Sequence, residues 1–222
     1  MRGRARARWA VSTISAAGHV RGIQAGNALA AVATMGYLEL LAGPPLIGLT
    51  AHVTSLPVAR LVVSELSRRP GIETELIDIA RIPLPTDDAG QAIKDPTFSA
   101  QMSRADALVV VSPEYNHGYS GLLKHALDTC LKEYIHKAVG VVGVSAGPYG
   151  GTRGIQDLLP VLRELGLVAI FWDVNFSAVQ TVFDEAGALR DQAYLPRIDK
   201  FLKELVWMAR TLRHGREDIA LE

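Results

Sequence analysis

Cysteine is almost missing from this sequence of 222 residues, which contains Cys130 and no other. A single cysteine cannot form an intrachain disulfide, which agrees with a reducing compartment, and we expect the protein in the cytoplasm. Cys130 lies one turn after Leu127 in a predicted helix. We therefore interpret it as a small buried side chain rather than as a reactive thiol.

The sequence also lacks an excess of charge of either sign, because Lys plus Arg and Asp plus Glu both number 23. A nucleic-acid partner would call for a basic surface, so none is expected. The histidines show no pairing with a carboxylate at the spacing of helical metal ligands, so no metal site is expected. They are His19, His52, His117, His125, His136 and His214.

Long hydrophobic runs are missing as well. Residues 22–38 carry no charge, but they are mostly Ala and Gly and include Gln24, Asn27 and Thr34. A membrane-spanning helix needs about 20 predominantly apolar residues. The sequence therefore predicts no membrane association.

The first 44 residues differ in composition from the rest. They hold five arginines and one acid, Glu39, and Pro44-Pro45 mark the boundary. We expect residues 1–44 to be a poorly ordered N-terminal extension, or the true start to be Met35, and residues 45–222 to form one domain. An Arg-rich, acid-poor start is also typical of targeting segments, although no Ala-x-Ala site follows a strong apolar core.

From Leu46 onwards, apolar runs and amphipathic stretches alternate as βαβαβαβαβα, which predicts a parallel sheet with helices on both faces. The predicted strands are Leu46–Leu49, Glu73–Asp78, Leu108–Val111, Ala138–Val144 and Leu167–Trp172, the last running on toward Phe176. The predicted helices are Val58–Arg69, Thr97–Ala105, a helix after Ser120 that buries Leu123, Leu127 and Leu131, Ile155–Leu165, and Leu195–Leu212, followed by a polar tail. The long polar loop Pro83–Pro96 is a candidate flap.

The loop after the third strand, Ser112–Ser120, is too particular for a plain connection. In an open parallel sheet, ligands bind at loops that leave the carboxyl ends of strands. Pro113 stiffens the start of this loop, Tyr115 offers a flat ring, and Gly118 allows close approach to the backbone. The alternative is a βα loop whose Pro, Asn and Gly only make a turn.

This loop resembles the hallmark of a known family. Ser112-Pro113-Glu114-Tyr115-Asn116, followed by Leu123-Lys124 and Ala126-Leu127-Asp128, is similar to the motif of the NADPH-dependent FMN reductase family, which includes quinone, azo-dye and chromate reductases. Ser145–Arg153 resembles the family pattern Ser-x-Gly-x-x-Gly-Gly-x-Arg, in which Arg153 is either a phosphate or substrate contact or a solvated residue.

The resemblance is weaker in the first βα loop. Leu49–Ser55 matches the pattern Gly-Ser-x-Arg-x-x-Ser and keeps hydroxyls at Thr50 and Ser55, but Leu49 replaces the glycine and His52 the arginine. Because histidine is charged only below about pH 6.5, this exchange bears on cofactor affinity. Asp78 with Leu84-Pro85 also resembles the family, and equally fits a strand end and a turn.

The resemblance implies a flavodoxin-like fold with five parallel strands in the order 2-1-3-4-5 and FMN at the point where the strand order reverses. It implies hydride transfer from NADPH or NADH to FMN and on to a small-molecule acceptor: free flavin, a quinone, an azo compound or a metal ion. The flavin would carry the chemistry, so no catalytic side chain is expected. The expected cofactor-binding residues are Thr50, His52, Thr54, Ser55, Pro113, Glu114, Tyr115, Asn116, His117, Gly118, Ser145, Gly147, Gly150 and Gly151.

Family members usually form dimers or tetramers, so a homodimer or homotetramer is expected. The alternative function is a flavodoxin-like binding module with weak or no reductase activity, which the departures at Leu49 and His52 motivate. A one-electron flavodoxin carrier is disfavoured, because such carriers tend to be acidic and this chain has a formal net charge of zero.

Overall fold

A computed structural model of the chain describes residues 7–13, 55–84 and 94–220. Over these residues the strands are β1 (Ala7–Thr13), β2 (Ile72–Asp78), β3 (Ala107–Pro113), β4 (Ala138–Val144), β5 (Val168–Ala169) and β6 (Val174–Phe176). The α-helices are α1 (residues 55–67), α2 (Pro96–Arg104), α3 (Gly121–Asp128), α4 (Thr152–Glu164) and α5 (Tyr194–Asp218). Short 3-10 helices span Ile79–Arg81 and Val179–Thr181.

The strands form one parallel sheet in the order β2-β1-β3-β4-β5, and β6 also pairs with β4. Their carboxyl ends are aligned, because Thr13 pairs with Asp78 and Val111 while Pro113 pairs with Val144. The predicted flavodoxin-like architecture, a parallel sheet combined with helices, is therefore present, with six strands where five were predicted. The loops that leave β3 and β4 therefore emerge at the end of the sheet where β1 and β2 also have their carboxyl ends.

The identity of the first strand differs from the sequence prediction. The position between β2 and β3 was expected for Leu46–Leu49, which lies outside the described residues, and Ala7–Thr13 occupies it. Seven residues of the expected extension 1–44 are thus part of the sheet. Strand formation depends on the neighbouring strands as much as on composition. The segment contains Trp, Val and Thr, which favour strands, but the arginines in and before it led to the prediction of an extension.

The fifth strand is interrupted. It was expected as one strand from Leu167 toward Phe176, but β5 pairs with the beginning of β4 and β6 with its end. Residues 170–173 lie between the two pieces, and the side chain of Phe171 is 79% exposed. An interruption is tolerated here because β5 and β6 lie at the edge of the sheet, where one side of each strand pairs with no other strand among the described residues.

Both faces of the sheet are covered by helices. On β3, Val109 and Val111 pack with α1 and α5, while Leu108 and Val110 pack with α2, α3 and α4. Successive side chains of a strand point to opposite faces. A strand covered on both faces must therefore be apolar throughout, which is why β3 and β4 are continuous runs of buried residues.

Two helix ends agree with the sequence prediction. Ser120 is the N-cap of α3, its Oγ accepting from Leu123 N at 3.2 Å. Gly166, with φ of +79°, ends α4. Gly166 N donates to Arg163 O and Leu167 N to Leu162 O, which is the Schellman pattern of helix termination.

Two other helix ends differ. α3 ends at Asp128, so Leu131 is not on its buried face and is 54% exposed. α5 continues six residues past the predicted end at Leu212 to Asp218. Its last turns reach Asp106, whose carboxylate accepts from Arg213 Nη1 at 3.2 Å and Arg216 Nη2 at 2.8 Å. Among the helices described, none combines the length and apolarity needed to cross a membrane.

Candidate functional site

The start of α1 lies at the carboxyl-terminal end of the parallel strands, where the loops after β3 and β4 also lie; we call this end the edge of the sheet from here on. α1 ends at residue 67 and β2 begins at Ile72, so the end of α1 is near the beginning of the parallel strands. A helix of this length spans about 20 Å, which brings Ser55 to the opposite edge. A cavity lined by Leu56 and Asp78, the last residue of β2, agrees with this placement.

The loop after β3 is a tight turn. Tyr115 N donates to Gly118 O at 2.8 Å and Gly118 N to Tyr115 O at 2.9 Å. The central residues, Asn116 and His117, have φ of 48° and 71°. Two successive positive φ values define a type I′ turn. The chain thus presents the backbone of Asn116 and His117 at the edge of the sheet, both exposed.

Glu114 connects this turn to α4. Its Oε2 accepts from Arg153 N at 3.2 Å, in the first turn of α4. The N-cap of α4 is Gly151, which has no side chain to accept such a bond. A carboxylate at a helix N-terminus is stabilised by the orphan N–H groups and by the helix dipole. Glu114 therefore caps α4 from a different loop.

The side chain of Arg153 completes the connection. Its Nη1 lies 2.7 Å from His117 Nε2, and its guanidinium carbon lies 4.5 Å from the centre of the Tyr149 ring. Arg153 carries a positive charge, so it donates to His117, which must present an unprotonated Nε2. The sequence left open whether Arg153 contacts a phosphate or substrate or is solvated. In the structure, its side chain lies between the loop after β3 and the loop after β4.

The loop after β4 is held by its own hydrogen bonds. Ser145 Oγ donates to Gly147 O at 2.9 Å, and Asn175 Nδ2 donates to Gly150 O at 3.2 Å. Gly150 and Gly151 have φ of 59° and 81°, so they are required by the turn. A Cβ added to Gly147, by contrast, would meet no described atom within 4 Å. Of these glycines, Gly147 offers open space to a ligand.

Ser55 is the one residue of the predicted phosphate loop that the structure describes. Ser55 is fully buried, and its Oγ has no hydrogen-bond partner among the described residues. A buried hydroxyl without a partner is unfavourable by about 1–3 kcal/mol, and a bound ligand that accepts a hydrogen bond would remove this cost. Thr50, His52 and Thr54 lie outside the described residues.

A cavity of about 530 Å³ opens between the first turn of α1 and the end of β2. Its lining includes Arg60, Asp78 and Arg81. Asp78 caps the following 3-10 helix by accepting from Ala80 N at 3.1 Å, so its role here is local. Within residues 55–84 and 94–220, no group of three or more His, Cys, Asp or Glu side chains is arranged to hold a metal ion.

The structure brings together most of the described residues that the sequence singled out. Glu114 and His117 both contact Arg153, whose guanidinium lies over the ring of Tyr149 in the second loop. Pro113 is buried as the last residue of β3. Sequence reasoning missed Gly154, where a Cβ would lie 3.1 Å from Gly118 O, and Asn175, which binds the Gly150 carbonyl. Neither contact has a local signal in the sequence, because Gly154 and Asn175 are far along the chain from Gly118 and Gly150.

These features suit FMN. Ser55 Oγ is an unpaired donor at a helix start, which is a favourable place for a phosphate. The exposed turn and the open backbone at Gly147 can lie against a flat ring. The residues present therefore fit the group.

Comparison with known proteins also points to an FMN-binding protein. Residues 50–180, more than half of the chain, match the family model of the NADPH-dependent FMN reductases. The chain belongs to this family. It is 33% identical over 152 residues to the NAD(P)H-dependent FMN reductase of Pseudomonas aeruginosa, covering 65% of this chain and 82% of the relative.

Two further similarities extend this comparison. The chain is 32% identical over 155 residues to an NADPH azoreductase of a Bacillus species, covering 68% of this chain and 85% of the relative. Its fold resembles that of FerB, a flavoenzyme NAD(P)H:(acceptor) oxidoreductase from Paracoccus denitrificans, with a TM-score of 0.57, 18% identity and coverage of 91% and 97%. The protein is therefore an NAD(P)H-dependent flavin oxidoreductase with FMN as its cofactor.

Proposed function

We propose that the edge of the sheet formed by the ends of β1, β3 and β4 binds FMN, with the phosphate at the start of α1 and the ring beside the Tyr115–Gly118 turn. The observation that carries this proposal is the buried and unpaired Ser55 Oγ at the same edge as the turn. Thr50, His52 and Thr54 would complete the phosphate site.

The protein groups act mainly by binding and orientation. Ser55 Oγ would donate to a phosphate oxygen, and the positive end of the α1 dipole would favour the anion. The backbone of Asn116 and His117 would border one edge of the ring, and Gly147 would border another because no Cβ blocks the approach. Tyr149 is 58% exposed and would lie at the mouth of the site.

The chemistry that FMN would supply when these residues hold it is the transfer of reducing equivalents from a nicotinamide to an acceptor. We propose a small-molecule acceptor of the classes reduced by the family: free flavin, a quinone, an azo compound or a metal ion. A cytoplasmic location, no nucleic-acid or membrane partner, and a homodimer or homotetramer remain part of the proposal. Sedimentation equilibrium would decide the assembly.

The test is a titration of Ser55→Ala with FMN. Because Ser55 Oγ has no hydrogen-bond partner in the described part of the chain, we expect the free energy of unfolding without FMN to be unchanged or slightly raised in the variant. FMN affinity should fall by about tenfold, the loss expected for one charge-assisted hydrogen bond of about 1.5 kcal/mol. Quenching of flavin fluorescence measures the affinity, and thermal unfolding measures the stability.

Ser67→Ala is the matched control, because Ser67 lies at the other end of α1 and donates to Val63 O at 2.8 Å. We expect it to leave FMN affinity unchanged. In the unaltered protein, NADH or NADPH should reduce the bound FMN under anaerobic conditions, which is seen as loss of the visible flavin absorbance. If FMN does not bind, the reductase proposal is wrong. If FMN binds and neither nicotinamide reduces it, the protein is a flavin-binding module.

A further inference from the structure

A second cavity lies beside the interruption of the fifth strand. It has a volume of about 290 Å³ and is formed where the segment between β5 and β6 faces the first turns of α5. Its described lining consists of Trp172, Asp173, Val174, Asn175, Arg197 and Lys200. Of these residues, only Asn175 also contacts a loop of the FMN site proposed above.

The two cations in this cavity have no acidic partner among the described residues. Lys200 Nζ lies 3.3 Å from the centre of the Trp172 ring, and the Arg197 guanidinium carbon lies 5.5 Å from the centre of the Tyr194 ring. The nearby Lys203, by contrast, forms an ion pair with Asp199 at 2.7 Å. Aromatic faces hold Arg197 and Lys200 without neutralising them, which leaves both charges available to an anion.

The remaining lining suits an aromatic ring with polar edges. Trp172 is 37% exposed and provides a flat apolar wall. Asp173 is half-buried, and burial raises the pKa of its carboxyl above the usual range. A carboxyl group in such a place can accept a hydrogen bond from an exocyclic amino group. The ligand class that combines these features is a phosphorylated purine nucleoside.

The cavity borders the proposed flavin site through Asn175. Asn175 lines the cavity, while its Nδ2 donates to Gly150 O and to Thr152 Oγ1, both at 3.2 Å. A ligand in the cavity would therefore lie next to the loop after β4. The co-substrate of the proposed function is a dinucleotide, which has a reacting ring at one end and an adenosine at the other.

We propose that this cavity, which we call the Trp172 cavity, binds the adenosine 2′-phosphate end of NADPH, with the phosphate at Arg197 and Lys200 and the adenine beside Trp172. This inference rests on the proposed function, because it assumes that the nicotinamide end reaches the flavin. NADH lacks the 2′-phosphate, so the cavity would favour NADPH over NADH. Arg197 and Lys200 would then determine co-substrate specificity.

The test combines binding and kinetics of a variant carrying Arg197→Ala and Lys200→Ala. Adenosine 2′,5′-bisphosphate should bind the FMN-saturated protein in a calorimetric titration and compete with NADPH. In the variant, its affinity should fall and the KM for NADPH should rise, each by about tenfold, which corresponds to about 1.4 kcal/mol. The KM for NADH and the affinity for FMN should stay within about twofold.

Lys203→Ala is the matched control, because Lys203 lies on the same helix but is paired with Asp199. It should leave the binding of the bisphosphate and both KM values unchanged. Unaltered bisphosphate binding in the double variant, or an equal rise of both KM values, would overturn the assignment. Failure of the proposed function would be seen separately, as a loss of FMN binding or of flavin reduction in the unaltered protein.

Discussion

At the scale of single residues, the conformation of the turn after β3 depends on residues other than the glycine that suggested it. Gly118 has an ordinary φ, whereas Asn116 and His117 have φ of 48° and 71°. Asparagine adopts the left-handed region more readily than most residues, because its short side chain can form local hydrogen bonds. The glycine whose lack of a side chain matters most for this turn is Gly154, in α4.

We expect Gly154→Ala to displace the turn and weaken FMN binding. The added Cβ would lie 3.1 Å from Gly118 O and 3.4 Å from Gly118 C, both backbone atoms that cannot move independently of the turn. Overpacking of this kind is unfavourable by about 1–3 kcal/mol, so the affinity for FMN should fall about fivefold or more. Flavin fluorescence quenching measures it.

Gly121→Ala provides the comparison, because a Cβ at Gly121 would meet no described atom within 4 Å. It should leave FMN affinity unchanged and favour α3 slightly through the higher helix propensity of alanine. If the Gly154 variant bound FMN with the same affinity as the unaltered protein, the Tyr115–Gly118 turn would not be part of the flavin site.

At the scale of elements, α2 is held by groups from outside the helix. Lys137 Nζ donates to the carbonyl oxygens of Met102 and Ser103 at 2.6 and 2.9 Å, and so satisfies the end of the helix. Burial and the nearby Arg216 lower the pKa of Lys137 to about 8. Glu133 holds the other end, because its Oε1 accepts from Ser99 Oγ at 2.7 Å.

Glu133 should make the stability of the protein depend on pH in the acidic range. Burial alone would raise the pKa of Glu133, but hydrogen bonds from Lys94, Ser99 and Leu131 N lower it to about 2. A carboxyl whose pKa is lowered in the folded state contributes stability above its unfolded pKa of about 4.5 and loses it as the pH falls toward 2. The contribution is at most about 3 kcal/mol.

Glu133→Gln should therefore lower the free energy of unfolding at pH 7 by about 1–3 kcal/mol, and the difference from the unaltered protein should shrink between pH 4.5 and 2. Urea unfolding at a series of pH values measures both effects. Glu185→Gln, in an exposed loop, should have no effect. A difference that stays constant down to pH 2 would contradict the role of the Glu133 carboxylate.

At the scale of the whole molecule, the sheet is completed from a distant part of the chain. β1 lies between β2 and β3, although residues 14–54 separate it from α1. Connections between a strand and the following helix usually have about 2–6 residues, which is why Leu46–Leu49 was the natural sequence prediction. The division of the chain into an extension, residues 1–44, and a domain, residues 45–222, stays a prediction.

A chain shortened to begin at Met35 tests the position of the first strand. Because the shortened chain lacks β1, β2 and β3 would lose the strand between them, and we expect the cooperative thermal transition to disappear. A chain that lacks only residues 1–5 keeps β1 and should unfold as the full chain does. If the chain starting at Met35 still showed a full cooperative transition, Leu46–Leu49 and not Ala7–Thr13 would be the strand between β2 and β3.

The sequence by itself determined the elements whose signals are local. Leu108–Val111 and Ala138–Val144 are apolar runs, Ser120 is a side-chain cap, and Gly166 provides a positive φ, so each is specified by neighbouring residues. The two loops of the site were also predicted from the sequence, because their Pro, Asn and Gly residues directly follow these two strands.

The tertiary structure alone decided which groups meet. Ala7–Thr13 is a strand because β2 and β3 pair with it. The fifth strand is split at an outer edge that pairs with no other part of the described chain. Glu114 caps a helix that begins 38 residues later, and Arg153 reaches His117 across the same gap between loops. Such contacts depend on the packing of helices against both faces of the sheet, and the residues on either side of each contact in the chain carry no signal of it.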